Sequence, residues 1–539
     1  MINKLRLLLN TREQFKILLL FILILLSSLM EMLSLGSIPV FIGYILNPEY
    51  LNNLIGQKDY ISFINFKDEE NRIVVLSLLL VTIFLTKNIL IFLINYFQAY
   101  FFRNLTIKNS LTLFKFYINN QYSYHLKSNP SLMVRNLTGD IPNTIIHIES
   151  LINLAKELII IFAIFLLLII VDIKLSLAVI AIISFITFII YYFIKNKLFL
   201  LSKINFEYRG KQNKIVNHMF GAIKDIKILQ KEKYFIDEFY SLVKGIQKIN
   251  FFTSISNKFP RLVFEILAVC TMLFVTFYYF QIDENFENVL PIISLLALAT
   301  VRLIPSFNTI FLNLSTLKKT QISFESIFKQ ISFYNNIKIK ENNVSSSKNI
   351  QKIESIDVKD LYFKHSENTD YILKNINLSI KPNSFVGIIG KTGSGKTTLI
   401  NLIAGLLEAN KGQILVNKEN IKKNLSQWYS NTGYISQSTF LLDETIKNNI
   451  ALGVKNDGIN ISNLENALKL SGISEFVKNL PNTVNTYVGN QGVRLSGGQI
   501  QRIGIARALY DNSKVIFFDE ATSSLDGKTE EKLIEDICK

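Results

Sequence analysis

Apolar residues in the first three-fifths of the chain run in long blocks and do not alternate. Six blocks, roughly 17–45, 73–102, 153–171, 175–194, 259–281 and 288–313, are each long enough to cross about 30 Å of hydrocarbon as a helix. Several contain unbroken runs such as Leu158–Val171, and six in series exclude the buried helices of a water-soluble core. The third and fourth blocks are separated only by Asp172–Lys174, which predicts a tight helical hairpin. A polar stretch, 333–352, contains the run Ser345–Ser347 and reads as a linker. From Ile353 the pattern changes to short strands alternating with helices, the mark of an α/β domain. The expected architecture is multi-domain: an all-α six-helix transmembrane domain over 1–332, the linker, and an α/β domain over 353–539.

Charge gives the topology. The chain has 539 residues and a formal charge of +16, with 58 Lys+Arg against 42 Asp+Glu. An excess of this size fits either nucleic acid or a membrane surface, and its placement decides between them. Lys4, Arg6, Arg12 and Lys16 precede or open the first block, which is too long for the apolar core of a cleavable signal. Segment 195–257 holds twelve Lys/Arg against five acids, whereas 47–72 holds three against five and 282–287 has three acids and no base. The positive-inside rule then places the N-terminus, 103–152, 195–258 and everything after 314 in the cytoplasm. The positive charge is therefore topological, and no nucleic-acid partner is expected. Both cytoplasmic loops read as long helices, with tips at Tyr122–Ser131 and Gly221–Leu229 suited to contact with a cytoplasmic domain. With two cysteines, Cys270 and Cys538, no disulfide framework is expected.

The α/β part carries the chemistry. An apolar strand expected at Phe385–Ile389 leads into Gly390-Lys391-Thr392-Gly393-Ser394-Gly395-Lys396-Thr397-Thr398, followed by an apolar helix. Glycines let the backbone approach a phosphate closely, and successive N–H groups at a helix start cradle its oxygens. This phosphate loop marks a P-loop NTPase: Lys396 faces the β- and γ-phosphates of ATP, and the Thr397 hydroxyl reaches Mg²⁺. Downstream, Val515–Phe518 is an apolar strand that ends in Asp519 and Glu520. Strand alternation would put Asp519 toward the metal and Glu520, as general base, toward an attacking water. Between them, Leu495-Ser496-Gly497-Gly498-Gln499 opens an apolar helix and offers a second anion-binding helix start with a free serine hydroxyl.

Phosphate loop, LSGGQ and acidic strand end, behind six spans, resemble a half-subunit of an exporter-type ABC transporter. The resemblance implies that Gln437, in Gly433-Tyr434-Ile435-Ser436-Gln437, lies near Mg²⁺ and the membrane domain, and that Asp526 belongs to the loop Ser523–Asp526. It also implies that 486–492 touches the cytoplasmic loops. ATP is expected between the phosphate loop of one subunit and Ser496, Gly497, Gly498 and Gln499 of another, which demands a dimer; a homodimer closes both sites, and a heterodimer is the alternative. His365 stands where the family stacks a tyrosine on adenine. No histidine follows His365, and the family's switch histidine and terminal strands have no counterpart before Lys539, so a fragment of a longer protein is expected.

Substrate information is expected in the spans, where ionisable residues are costly and line cavities or pair with one another. The candidates are Glu31, Lys87, Arg261 and Arg302; Glu265 can pair with Arg261 along one helix face, and Glu31 with Lys87 or Arg302. The surplus of cations suits an anionic head group. Segments 259–265 and 302–306 resemble the bacterial flippases for lipid-linked oligosaccharides. That implies an ATP-driven flippase of a bacterial inner membrane acting on membrane lipids, its substrate a polyprenyl-pyrophosphate-linked glycan. Export of lipid A-like lipids, drugs or peptides is the alternative, and a non-hydrolysing partner subunit is the alternative of another class.

Overall fold

The computed structural model describes residues 10–46, 69–171, 173–281, 286–341, 352–365, 370–489, 492–520, 531 and 535. Two compact units emerge: Met1–Asn119 with Ser128–Lys340, and Asn120–Lys127 with Glu341–Lys539. In chain order the first unit is built from α1 (Thr11–Leu46) and α2 (Glu69–Asn119), then, past α3 (Tyr122–Lys127), α4 (Pro130–Arg135) and α5 (Ile141–Val171). It continues with α6 (Ile173–Gly221), α7 (Ile223–Ile228), α8 (Glu232–Gln281) and α9 (Phe286–Glu341). The helix α3, at the tip of the first expected cytoplasmic loop, groups with the second unit.

Each expected span lies inside one long helix. Among the described residues, four helical stretches are apolar and long enough to cross a membrane: Thr11–Leu46, Ile73–Asn119, Pro130–Ile170 and Ile293–Phe333. The helices outrun the hydrocarbon. At 1.5 Å per residue α2 is about 75 Å long, more than twice a bilayer core. Its far end, with the end of α6 and the start of α8, falls in the long helical loops 103–152 and 195–258 read from the sequence. The expected linker starts later than 333, because α9 runs unbroken to Glu341. No proline or glycine interrupts 306–341, so nothing stops the helix there. Residues 342–351 of that linker, the turn residues 282–285 and most of loop 47–72 lie outside the described residues.

The helices close on an apolar seam of Leu35 from α1, Ile160 and Ile164 from α5, Phe264 from α8, and Leu303 and Phe307 from α9. The Phe264 and Phe307 rings lie 5.1 Å apart. Other apolar side chains, such as Phe92, Phe162 and Ile170, stay exposed, which suits a hydrocarbon solvent. Toward the later turns of α9 the seam turns polar. A single π-turn, Asn136–Asp140, precedes α5. Against it, Gln330 accepts from Asn136 (3.2 Å) and from the Tyr117 hydroxyl (2.6 Å), Ser323 donates to Asp140 (2.8 Å), and Thr320 meets His147 Nδ1 at 2.9 Å. Asp140 also pairs with Arg135 at 3.1 Å.

In the second unit, β1 (Ile356–Phe363), β2 (Leu373–Ile380), α10 (Lys396–Ile403), β3 (Lys411–Val416) and β4 (Glu419–Asn420) come first. Then follow α11 (Leu425–Ser430), β5 (Thr432–Ile435), α12 (Ile446–Ile450), α13 (Ile461–Leu470), α14 (Ser474–Lys478), α15 (Gly497–Tyr510) and β6 (Val515–Phe518). One sheet runs β2-β1-β3-β4, all antiparallel, and a second pairs β5 with β6 in parallel. The alternating β1 buries Ile356, Val358 and Leu361 against Leu402 and Trp428. A second core surrounds the inward face of α15, with Ile503 and Ala506 against Ile446, Leu464 and Ile473. The strand expected at 385–389 is not in either sheet. β5 and β6 bond directly to each other, Thr432 opposite Val515 through Ile435 opposite Phe518, and leave no slot between them; Ile389 is 98% exposed.

Candidate functional site

The phosphate loop folds as its glycines require. Gly393 and Gly395 have φ of 82° and 92°, values that side chains resist, and Gly395 serves as the N-cap of α10. A Cβ on Gly395 would meet Ile372 and Leu373 at 3.0 Å. Lys396 curls back so that its ammonium donates to the carbonyl oxygens of Gly390 (3.0 Å) and Lys391 (3.4 Å). Its cation is thereby held beside the loop that Thr392, Gly393 and Ser394 complete, with Thr397 and Thr398 on the first turn of α10.

The acidic strand end meets that turn. The Thr397 hydroxyl donates to Asp519 Oδ1 at 2.8 Å, and Asp519 is 7% exposed. A hydroxyl and a carboxylate converging on one point are the hard oxygen donors that Mg²⁺ takes, so this pair fits that ion. Glu520 arrives by a different route from the one read in the sequence. The strand ends at Phe518, and Glu520 has φ 50°, a left-handed backbone that costs a non-glycine residue about 1–2 kcal/mol. Strand alternation does not place it; the turn does, and it carries Glu520 to Gln437, whose Nε2 donates to Glu520 Oε2 at 2.8 Å. Strain of this kind clusters at functional sites.

The LSGGQ helix start is α15. Ser496 is its N-cap, and a capping box forms: Gln499 N–H donates to Ser496 Oγ (3.4 Å) while Ser496 N–H donates to Gln499 Oε1 (2.9 Å). The serine oxygen is therefore engaged as an acceptor, not free as read from the sequence, and its hydroxyl proton remains to be donated. Gly497 and Gly498 form the first turn of α15. His365 is exposed, its ring edge-on to Phe363 at 5.1 Å. Asp526, with the rest of Ser523–Asp526, lies outside the described residues, as do residues 490–491.

Two side chains that the sequence reading passed over join this cluster. The Tyr434 hydroxyl lies 3.1 Å from Asp519 Oδ2 and 2.9 Å from Asn401 Oδ1. Burial, and then the neighbouring Asp519 charge, push the Tyr434 phenol well above the ordinary tyrosine range, so it stays a donor.

In the first unit, Glu31, Lys87 and Arg302 come together. Glu31 is 3% exposed, takes a bond from Arg302 Nε at 2.6 Å and has Lys87 Nζ at 3.8 Å. Lys156, inside the third expected span, lies close enough to Glu31, Arg302 and Glu157 to feel their charges, and donates to Asn95 at 3.3 Å. Glu157 is buried, and its Oε2 has no hydrogen-bond partner. The cost of a membrane-embedded charge, which singled out Lys87, applies equally to Lys156 and Glu157. Arg261 is not part of this group: it pairs along α8 with Glu265 at 2.8 Å, and its side chain is 66% exposed.

Comparison with known proteins settles the family. Residues 17–303 match the model of the ABC transporter transmembrane region, and residues 373–523 match the ABC transporter model. The chain belongs to the ABC transporters. It is an ABC exporter half-transporter, with one transmembrane region and one ATP-hydrolysing domain per chain, and half-transporters of this type dimerise. It is 28% identical to the multidrug resistance-like ATP-binding protein MdlA of Buchnera aphidicola subsp. Baizongia pistaciae, over 88% of this chain and 82% of that one. It is 27% identical to the ATP-dependent lipid A-core flippase of Wigglesworthia glossinidia brevipalpis, over 88% and 81%. To the alpha-hemolysin translocation ATP-binding protein HlyB of Escherichia coli it is 40% identical over 34% of this chain and 26% of that one. Its fold follows that of a bacterial Atm1-family ABC exporter with ATP bound, at a TM-score of 0.70, 17% identity, and coverage of 97% and 88%.

Proposed function

We propose that this half-transporter works as a homodimeric, ATP-driven flippase for phosphorylated lipids in a bacterial inner membrane, with its N-terminus and nucleotide domain in the cytoplasm. Its membrane domain would span 1–332 and its nucleotide domain 353–539. The observation that carries the substrate reading is the charge group around two buried acids: the half-buried Lys87, Lys156 and Arg302 against Glu31 and Glu157 leave one surplus cation per chain, doubled in a dimer. Leaving that surplus in hydrocarbon is costly, and an anionic head group neutralises it. An apolar cleft lined by Leu168, Phe264, Met272, Leu296, Leu303 and Phe307 suits a hydrocarbon chain. Head and chain together describe a lipid, and a polyprenyl-pyrophosphate-linked oligosaccharide is the substrate proposed. A second reading, a lipid A-like lipid, draws on the likeness to the lipid A-core flippase and shares the same phosphate chemistry.

In the nucleotide site, Lys396 and the N–H groups of 390–398 hold the ATP phosphates, with His365 against the adenine. Thr397 and Asp519, with Gln437 close by, would hold Mg²⁺, which neutralises phosphate charge when bound. Glu520 takes the proton of the attacking water, and its bond from Gln437 keeps the carboxylate aimed. Ser496, Gly497, Gly498 and Gln499 of the second copy close over the same nucleotide. Asp526 is assigned to the same seam.

Translocation in proteoliposomes tests the substrate. Alanine at Lys87, Lys156 and Arg302 together should abolish ATP-dependent flipping while leaving ATP binding within about twofold; Arg261→Ala should flip nearly as wild type. Transport of a polyprenyl-pyrophosphate glycan supports the first lipid, and transport of a lipid A-type lipid alone supports the second. Intact flipping in the triple variant overturns the cation reading.

A further inference from the structure

Asp519 has two carboxylate oxygens, and each is taken by a neutral hydroxyl: Thr397 at Oδ1 and Tyr434 at Oδ2. Thr397 and Asn401 stand four residues apart on α10, so they share one face of that helix. Asn401 lies 2.9 Å from the same Tyr434 hydroxyl. A phenol has one proton, so it cannot donate fully to both Asn401 Oδ1 and Asp519 Oδ2. The amide orientation that satisfies every group turns the Asn401 nitrogen to the phenol oxygen, since amide oxygen and nitrogen are interchangeable in outline. The chain then runs one way, from Asn401 N–H to Tyr434 O–H to the Asp519 carboxylate. One helix thus grips both oxygens of Asp519, directly through Thr397 and indirectly through Asn401 and Tyr434.

We propose that Tyr434 is a positioning residue that holds Asp519 in the orientation required to bind the metal. This rests on the reading of Asp519 as the metal-binding carboxylate. In this role Tyr434 acts through Asp519. Its ring is held by Phe517 on β6, at 6.5 Å, which in turn meets Trp428 at 6.3 Å, so removing the hydroxyl leaves the aromatic packing intact.

The test uses the full chain in detergent, with Mn²⁺ bound in place of Mg²⁺ and followed by electron paramagnetic resonance in the presence of ATP. A hydrogen bond to a charged group is worth about 1.5–3 kcal/mol, so Tyr434→Phe should weaken metal binding by roughly tenfold or more. Metal-free binding of a fluorescent ATP analogue should stay within twofold. Asn401→Ala should shift metal affinity in the same direction by less, and the two changes together should be less than additive. Unchanged Mn²⁺ affinity in Tyr434→Phe overturns the inference, as does an equal loss of metal-free ATP binding. Asp519→Asn separates this from the reading beneath it. If that variant binds Mn²⁺ as wild type, the assignment of Asp519 itself fails; if it loses the metal while Tyr434→Phe does not, only the positioning role fails.

Discussion

At the scale of single residues, the nucleotide site is made by backbone conformation as much as by side-chain chemistry. Gly395 combines φ of 92° with neighbours already at contact distance from a would-be Cβ. Gly395→Ala should therefore cost at least about 1–2 kcal/mol in backbone strain alone and distort the loop around the phosphates. Titration with a fluorescent ATP analogue should show its affinity reduced by tenfold or more. Glu520 is the reverse case, a large acidic residue kept at φ 50° where glycine would be easier, because its carboxylate is needed at Gln437. Glu520→Gln should retain ATP binding and lower the steady-state ATPase rate by at least about a hundredfold, in line with the loss of a general base. ATPase activity equal to wild type would remove Glu520 from the reaction. The positions of this cluster were largely legible in the chain, since Lys396, Thr397, Asp519 and Glu520 are named by motif and the fold brings Thr397 to Asp519 and Glu520 to Gln437. Tyr434 and Asn401 were not. Both sit within segments read for another purpose, and only the parallel pairing of β5 with β6 carries Tyr434 to Asp519.

Among the elements, α9 is the one that joins regions of different character. Its apolar face packs Leu303 and Phe307 into the membrane seam, and twenty residues later the same helix presents Ser323 and Gln330 to buried polar partners. Asp140 is 3% exposed and paired with Arg135 and Ser323. Asp140→Ala leaves Arg135 without its carboxylate and should destabilise the first unit by about 3–5 kcal/mol, the cost of breaking a buried pair. Thermal unfolding of the detergent-solubilised chain reads that loss directly. His147, stacked on Phe324 and buried, is held below the ordinary histidine range by desolvation, which outweighs the opposing Leu317 backbone bond and Glu325 charge. The unfolded chain then takes up this proton first as pH falls. Stability is fully present above about pH 6.5 and declines as pH drops through and below that value, toward the lower folded pKa. A melting temperature that rises on acidification from pH 7 to 5.5 in wild type, relative to His147→Phe, would contradict this. Helix existence was readable from hydrophobic blocks, because hydrocarbon tolerates few alternatives. Segment 385–389 reads as a strand from its apolar run, but it joins neither sheet, and the direct pairing of β5 with β6 leaves it no slot between those two strands.

Over the whole molecule, one transmembrane region and one nucleotide domain make half of a machine. The chain supplies a phosphate loop at α10 and a capped LSGGQ start at α15, each complete in itself. The exposed apolar surface of α1, α2 and α8 calls for lipid or a second copy around it. The central claim is that each ATP lies between two copies, gripped by the phosphate loop of one and the signature helix of the other. Subunit complementation tests it most directly. Lys396→Ala disables only the phosphate loop of its own chain, and Ser496→Arg disables only the signature. Each variant alone should hydrolyse no ATP above background. Co-reconstituted in equal amounts, they form mixed dimers in which the intact phosphate loop of one faces the intact signature of the other, and ATPase activity should return at a substantial fraction of wild type. A mixture that forms mixed dimers and stays as inactive as its parts would contradict the shared site.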